Sequence, residues 1–203
     1  AYSVVNALQI KRYRQMNLER NKTDKKDDWH IRMYGIERKP AQYQMPEQQY
    51  FECRTLNSAI ETITAEITAF TNKIYAQKKQ KTDTSAVLRS YNQIVKTLKE
   101  HLKKLKEELQ NKLLLWQPGL VKQVRSVKGI GSRATATLIV ATQGFKNTHS
   151  YQQLISYAGL SPKLYTSGKS IRGKVRISKK GGKQLRHILY MCALNAKTTN
   201  PAC

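Results

Sequence analysis

The sequence predicts a mainly α protein. Three observations carry this: two heptad-spaced apolar stripes between Leu56 and Leu109, a Trp116-Gln-Pro-Gly stop after the second, and short apolar segments of helix length separated by glycine-containing turns beyond it.

The first stripe is Leu56, Ile60, Ile63, Ile67, Phe70 and Ile74, with steps of 4, 3, 4, 3 and 4. Leu88, Tyr91, Val95, Leu98, Leu102, Leu105 and Leu109 repeat the pattern with steps of 3, 4, 3, 4, 3 and 4. The polar stretch AQKKQKTDTS between them lacks apolar periodicity, so the pair reads as an antiparallel helical hairpin or a dimerising coiled coil. Each stripe needs the other, or a second subunit, to cover its apolar side. A homo-oligomer through this hairpin is the expected assembly, against a plain spacer with solvated lysine faces.

Pro118 cannot continue a helix and Gly119 supplies a flexible turn, which places a boundary near residue 112. The expected organisation is residues 1–50, 51–111 and 112–203. In the last part, helices are expected at about 120–127, 132–143, 150–157 and 181–197. The long small-residue loop from Gly159 to Gly182 is where chemistry is expected. In the first part, VVNALQI reads as a short strand or a helix start.

Charge narrows the partner. The chain has 37 basic and 13 acidic residues, a formal charge of +24. From Leu109 to Cys203 there is no acid at all among sixteen lysines and arginines. Such a segment is self-repelling until a polyanion neutralises it, and nucleic acid is the leading candidate. The same absence excludes a carboxylate general base or an oxygen-ligated metal built from this half alone. No run of about 18 apolar residues exists, which argues against a membrane partner. Cys53, Cys192 and Cys203 form no disulfide framework, and a reducing cytoplasm is the expected compartment. The opening AYSVVNALQI has neither an initiator methionine nor a signal-peptide pattern, so the chain is expected to begin inside a longer protein.

Two motifs stand out in the acid-free half. Gly129-Ile130-Gly131, between the apolar Val121, Val124 and Val127 and the helix-like SRATATLIVAT, has the layout of a helix-hairpin-helix. Unpaired amides at the start of its second helix would receive phosphate oxygens regardless of base sequence, with Lys128 and Arg133 beside them. The second motif is Tyr165-Thr166-Ser167-Gly168-Lys169-Ser170-Ile171-Arg172-Gly173-Lys174. It lacks Walker spacing. A serine ringed by Lys169, Arg172, Lys174 and Arg176 has cations to offset charge on a phosphoryl transition state. His149 and His187 are distant in sequence, so a Ser-His-Asp arrangement is not supported, and on composition alone Ser167 reads as an ordinary loop hydroxyl. Lys179, Lys183 and Arg186 extend the cationic set toward the last helix, whose Leu185, Ile188, Leu189 and Cys192 form an apolar face.

Taken together, Gly129-Ile130-Gly131 with Ala136-Thr137-Leu138, then Y-A-G-L-S-P, T-S-G-K, R-I-S-K-x-G, L-R-x-x-L and the closing N-P resemble the transposase-20 domain of DEDD-type insertion-sequence transposases, the IS one-ten family. Lys22-Thr23-Asp24-Lys25-Lys26-Asp27 resembles the signature that ends the family's RuvC-like (RNase H-like) nuclease domain. Lys128 in place of the usual proline before GIG, and Asp28 in place of a common alanine, depart from the pattern. The resemblance implies the C-terminal end of an α/β nuclease domain, a helical hairpin and a small all-α domain containing the helix-hairpin-helix. It implies an RNA-guided DNA recombinase in which a bridge RNA pairs with donor and target. It also implies Ser167 as nucleophile, and Asp24 and Asp27 as the last two of four acids that bind Mg2+, the first two lying before Ala1. The rival expectation is a non-enzymatic module that binds nucleic acid and dimerises.

Overall fold

The computed structural model describes residues 2–17, 23–80, 84–146, 148–163, 166–167 and 171–201, with backbone alone at 166–167 and 171–172. These residues form two compact units, Ala1–Pro46 and Glu47–Cys203.

In the first unit, helix α1 spans Ala7–Met16 and helix α2 spans Asp24–Arg38. VVNALQI resolves as a helix start because the Asn6 side chain accepts from the Leu8 amide at 2.9 Å, leaving Val4 and Val5 outside the helix. Thr23 caps α2 by accepting from the Lys26 amide, and Asp24 and Asp27 fill its first turn, where the helix dipole favours acids. Lys39 ends it in the left-handed region at φ 43°, just before Pro40. Aromatic contacts hold the helices together, with the Tyr13 ring edge-on to Tyr34 at 5.4 Å and to His30 at 6.3 Å. His30 is 1% exposed, and neither ring nitrogen has a hydrogen-bond partner among the described residues. The described residues of this unit contain helices and extended segments, with no strand.

In the second unit, α3 (Gln48–Lys78) and α4 (Ser85–Trp116) form the expected antiparallel hairpin. Its root is tied by Lys112 Nζ donating to Glu52 Oε2 at 2.6 Å, and Phe70 meets Tyr91 farther along. The heptad residues supply the buried and half-buried positions facing inward. Residue 112 lies inside α4, which runs on to Trp116 and breaks at Gln117. Pro118 then opens α5 (Pro118–Ser126) at its first turn, where a missing amide hydrogen removes no helical bond.

Helix α6 (Ser132–Ala141) is the centre of the unit: every residue from Ala134 to Val140 is buried. One side, through Ala136, Ile139 and Val140, packs on Cys53, Ile60, Leu109, Leu113 and Val121 of α3, α4 and α5. The other side, through Leu138, packs on Ala158 and on Leu185 of the last helix. Two buried hydroxyls bond back along the helix, Thr135 donating to the Gly131 carbonyl and Thr142 to that of Leu138, while that of Thr137 reaches Asn57 Oδ1 of α3. The turn after α6 passes through positive φ at Gln143, Gly144 and Phe145. Helix α7 (Tyr151–Tyr157), capped by Ser150, and α8 (Lys183–Thr199) complete the bundle.

The expected all-α C-terminal part carries a small exception. Among the described residues between α7 and α8 lie four two-residue strands: β1 (Pro162–Lys163), β2 (Thr166–Ser167), β3 (Ile171–Arg172) and β4 (Arg176–Ile177). β1 pairs with β4 and β2 with β3, both antiparallel. The described part of the expected long loop is therefore two ladders, one inside the other in sequence and termed the arm, with strands too short for a period-2 pattern to reveal.

Candidate nucleic-acid interface and serine arm

The Gly129-Ile130-Gly131 turn joins α5 to α6. Gly129 has φ 99°, and a Cβ there would lie 2.9 Å from the Ala196 Cβ of α8. The turn is thus backed by the last helix, and glycine is required both by conformation and by contact. Gly131 is the N-cap of α6, with no side-chain cap and open space where a Cβ would be. Lys128 and Arg133 flank the turn, both exposed and without an ion pair among the described residues. The layout leaves amides of a helix start approachable between two cations.

The arm sits at the other end of α8. Along the helix axis, Arg186 and Ala196 are about 15 Å apart at 1.5 Å per residue. The backbone of Ser167 pairs with Ile171, and that of Thr166 with Arg172, in the distal ladder. In the basal ladder Lys163 stands opposite Arg176. Lys174, Arg176, Lys179 and Lys183 are exposed. Lys179 adopts φ 53°, and Lys183 is the first residue of α8. Arg186 differs from the rest: it is half-buried, and its Nη1 donates to the Ala158 carbonyl at 2.8 Å. The Lys169 expectation lies outside the described residues, as do the side chains of Ser167 and Arg172.

Among the described residues, two acids at the start of α3 make the unit's ion pairs to cations beyond them. Glu47 accepts from Lys146 Nζ and from the Trp116 indole, each at 2.7 Å, and these bonds hold its carboxyl below the usual range. Glu52 is lowered likewise by Lys112, which is itself raised by Glu52. Both acids sit at the hairpin root, and neither pairs with a cation of the arm.

Two family profiles match this chain. Residues 121–203 match the transposase IS116/IS110/IS902 family, and residues 1–80 match the DEDD transposase profile of IS110 elements. The chain belongs to the IS110 family of transposases. The chain is 26% identical over 196 residues to the pilin gene-inverting protein of Moraxella bovis, covering 95% of this chain and 58% of that protein. The same figures hold for the Moraxella lacunata protein of that name. It is also 32% identical over 95 residues to an insertion element IS110 protein of Streptomyces coelicolor, covering 47% of this chain and 23% of that protein. The chain therefore spans a little over half the length of the Moraxella relatives.

The two acids expected as metal ligands do not by themselves make a metal centre. Asp24 and Asp27 lie in one helical turn, and Asp27 Oδ1 already accepts from Arg14 Nη1 at 2.7 Å. Among the described residues no three of His, Cys, Asp or Glu come together to hold an ion. Two carboxylates, one of them held by a guanidinium, supply only part of the roughly six oxygen ligands a hard divalent cation takes. Among the described residues, no helix is long and apolar enough to cross a membrane.

Sequence reasoning missed Lys163. Its motif, S-P-K, carries no signal by itself, and only the ladder register sets it opposite Arg176.

Proposed function

We propose that the transposase is a DNA recombinase that forms a covalent serine–DNA intermediate, guided by an element-encoded bridge RNA. The observation that carries this reading is the arm itself. Ser167 lies on β2 between exposed cations of a segment without acids, and two like charges, Lys163 and Arg176, oppose each other at its base. Like charges directly across a ladder repel, so an anion between them is favoured. A phosphodiester is the anion such a site suits.

In this reading Ser167 Oγ bonds to phosphorus as the P–O bond to a deoxyribose oxygen breaks. The serine proton leaves and the departing oxygen gains one. The ester conserves the bond energy, so the reverse step with a different strand end rejoins DNA. Lys169, Arg172, Lys174, Arg176, Lys179 and Lys183 line the approach of the backbone. The turn of Lys128, Gly129, Gly131 and Arg133 acts as a helix-hairpin-helix that holds a second phosphate stretch. Sequence choice is delegated to base pairing. The name of the Moraxella relatives, gene-inverting proteins, agrees with DNA strand exchange.

Asp24 and Asp27 are proposed as the end of a RuvC-like acidic quartet for Mg2+, needing further oxygen ligands beyond the described residues. The hairpin is proposed as the dimerisation element. A second reading, a non-enzymatic nucleic-acid-binding and dimerisation module, is favoured by the lack of a three-ligand cluster around Asp24 and Asp27 among the described residues.

The test is a denaturation-resistant protein–DNA adduct formed by the full-length transposase with guide RNA, labelled DNA and Mg2+. The serine reading expects an adduct that disappears in Ser167→Ala while DNA binding persists. Binding without any adduct from the wild type would leave the binding module as the function.

A further inference from the structure

The base of the serine arm is over-determined by its geometry. The amides of Ser178 and Lys179 donate to the carbonyls of Ser161 and Gly159 at 2.9 and 3.0 Å. Gly159 has φ 70°, and a Cβ there would lie 2.8 Å from Arg186 Nη1 and 3.1 Å from the carbonyl carbons of Lys179 and Lys180. A Cβ at Gly181 would overlap the Tyr157 carbonyl oxygen. The outgoing and returning strands thus pass in backbone contact, and the space left between them and α8 holds the Arg186 guanidinium. Its acceptor, the carbonyl of the fully buried Ala158, closes α7. A hydrogen bond from a charged donor to a carbonyl is roughly twice as strong as a neutral one. No carboxylate exists in this half of the chain to compete for it.

Resting on the reading of Ser167 as nucleophile, we infer that Arg186 is a positioning residue: its bond to Ala158 fixes the angle at which the arm leaves the helices. The departure angle at Gly159 matters because of the chain length beyond it. Ser167 lies eight residues beyond Gly159, at most roughly 27 Å of extended chain. A tilt of about 10° at the base therefore moves the serine by up to ~5 Å, whereas reacting atoms tolerate ~1 Å. The sequence expectation for Arg186 is a phosphate contact; with its Nη1 engaged at the arm base, the role assigned to it is to hold that base. The neighbouring Lys179 and Lys183 remain exposed for that role.

The experiment compares Arg186→Ala, Arg186→Lys and wild-type full-length transposase in three readouts: amide hydrogen exchange, DNA affinity against salt, and the single-turnover rate of adduct formation at saturating DNA. The expected result is faster exchange at Ser178 and Lys179 in Arg186→Ala with α6 amides unchanged, which also certifies the fold. The adduct rate falls roughly tenfold to a hundredfold while DNA affinity changes less than about twofold, and the salt slope is unaltered. Arg186→Lys restores part of both exchange protection and rate, since an ammonium can reach one carbonyl.

The inference is overturned if exchange at the arm base is unchanged, if exchange quickens but the saturated rate does not fall, or if affinity drops with a salt slope smaller by about one. The last outcome would make Arg186 a phosphate ligand. An adduct that survives Ser167→Ala would defeat the serine reading instead, and the exchange data would still report on the clamp itself.

Discussion

Lys163 and Arg176 face each other across the ladder at the base of the serine arm, two cations in register with no acid in their half of the chain. Free of ligand, this pair works against the ladder; with a phosphate between them it supports it.

Arg176→Ala is therefore expected to weaken DNA binding and lower the salt slope by about one. It should not destabilise the free protein. Anisotropy titrations over a salt series, with thermal melts of the unbound chain, check both halves of the expectation.

Gly129 and Gly131 are separable. Gly129→Ala should cost about 2 kcal/mol or more, from left-handed backbone strain and collision with Ala196. Gly131→Ala, facing open space, should cost under about 1 kcal/mol and be felt mainly in DNA affinity. Denaturant titration separates the two.

Ile139→Ala should destabilise by about 2–5 kcal/mol, because this residue is fully buried in the cluster that joins α6 to α3, α4 and α5. Urea unfolding monitored at Trp116 reads this directly.

The Glu52–Lys112 bridge makes an acid-sensitive contribution. The folded Glu52 lies below its ordinary value, so the stability it confers is complete above the normal carboxylate range and is lost as pH falls through the folded value. Lys112, raised by the same bond, adds stability that is complete below the usual lysine value and lost as pH rises through its folded value. Glu52→Gln should flatten the acid limb of a plot of midpoint denaturant concentration against pH.

His30 gives an opposite kind of result. Its buried ring nitrogens form no hydrogen bond among the described residues, so His30→Phe removes none and relieves their desolvation. The melting temperature should hold or rise.

The hairpin was legible because heptad spacing reports directly which residues meet, and the stop at Trp116-Gln-Pro-Gly because proline removes a donor. Helix α6 was legible in outline; its nearly complete burial was not, since a short apolar run does not say how many neighbours surround it. The arm was readable as a glycine-rich loop and unreadable as ladders, because two-residue strands carry no periodicity. Arg186 reads as one more cation in sequence. Only the backbone proximity of Gly159 and Gly181 reveals what its guanidinium holds.

Glu47 joins the start of α3 to Trp116 at the end of α4 and to Lys146 after α6. The C-terminal helices therefore borrow a wall of their core and a counter-ion for Lys146 from the hairpin. The family-matched segment, residues 121–203, is therefore not a portable cassette. A chimera that exchanges serine arms between related elements should be spliced ahead of Glu47, carrying the hairpin with its cargo.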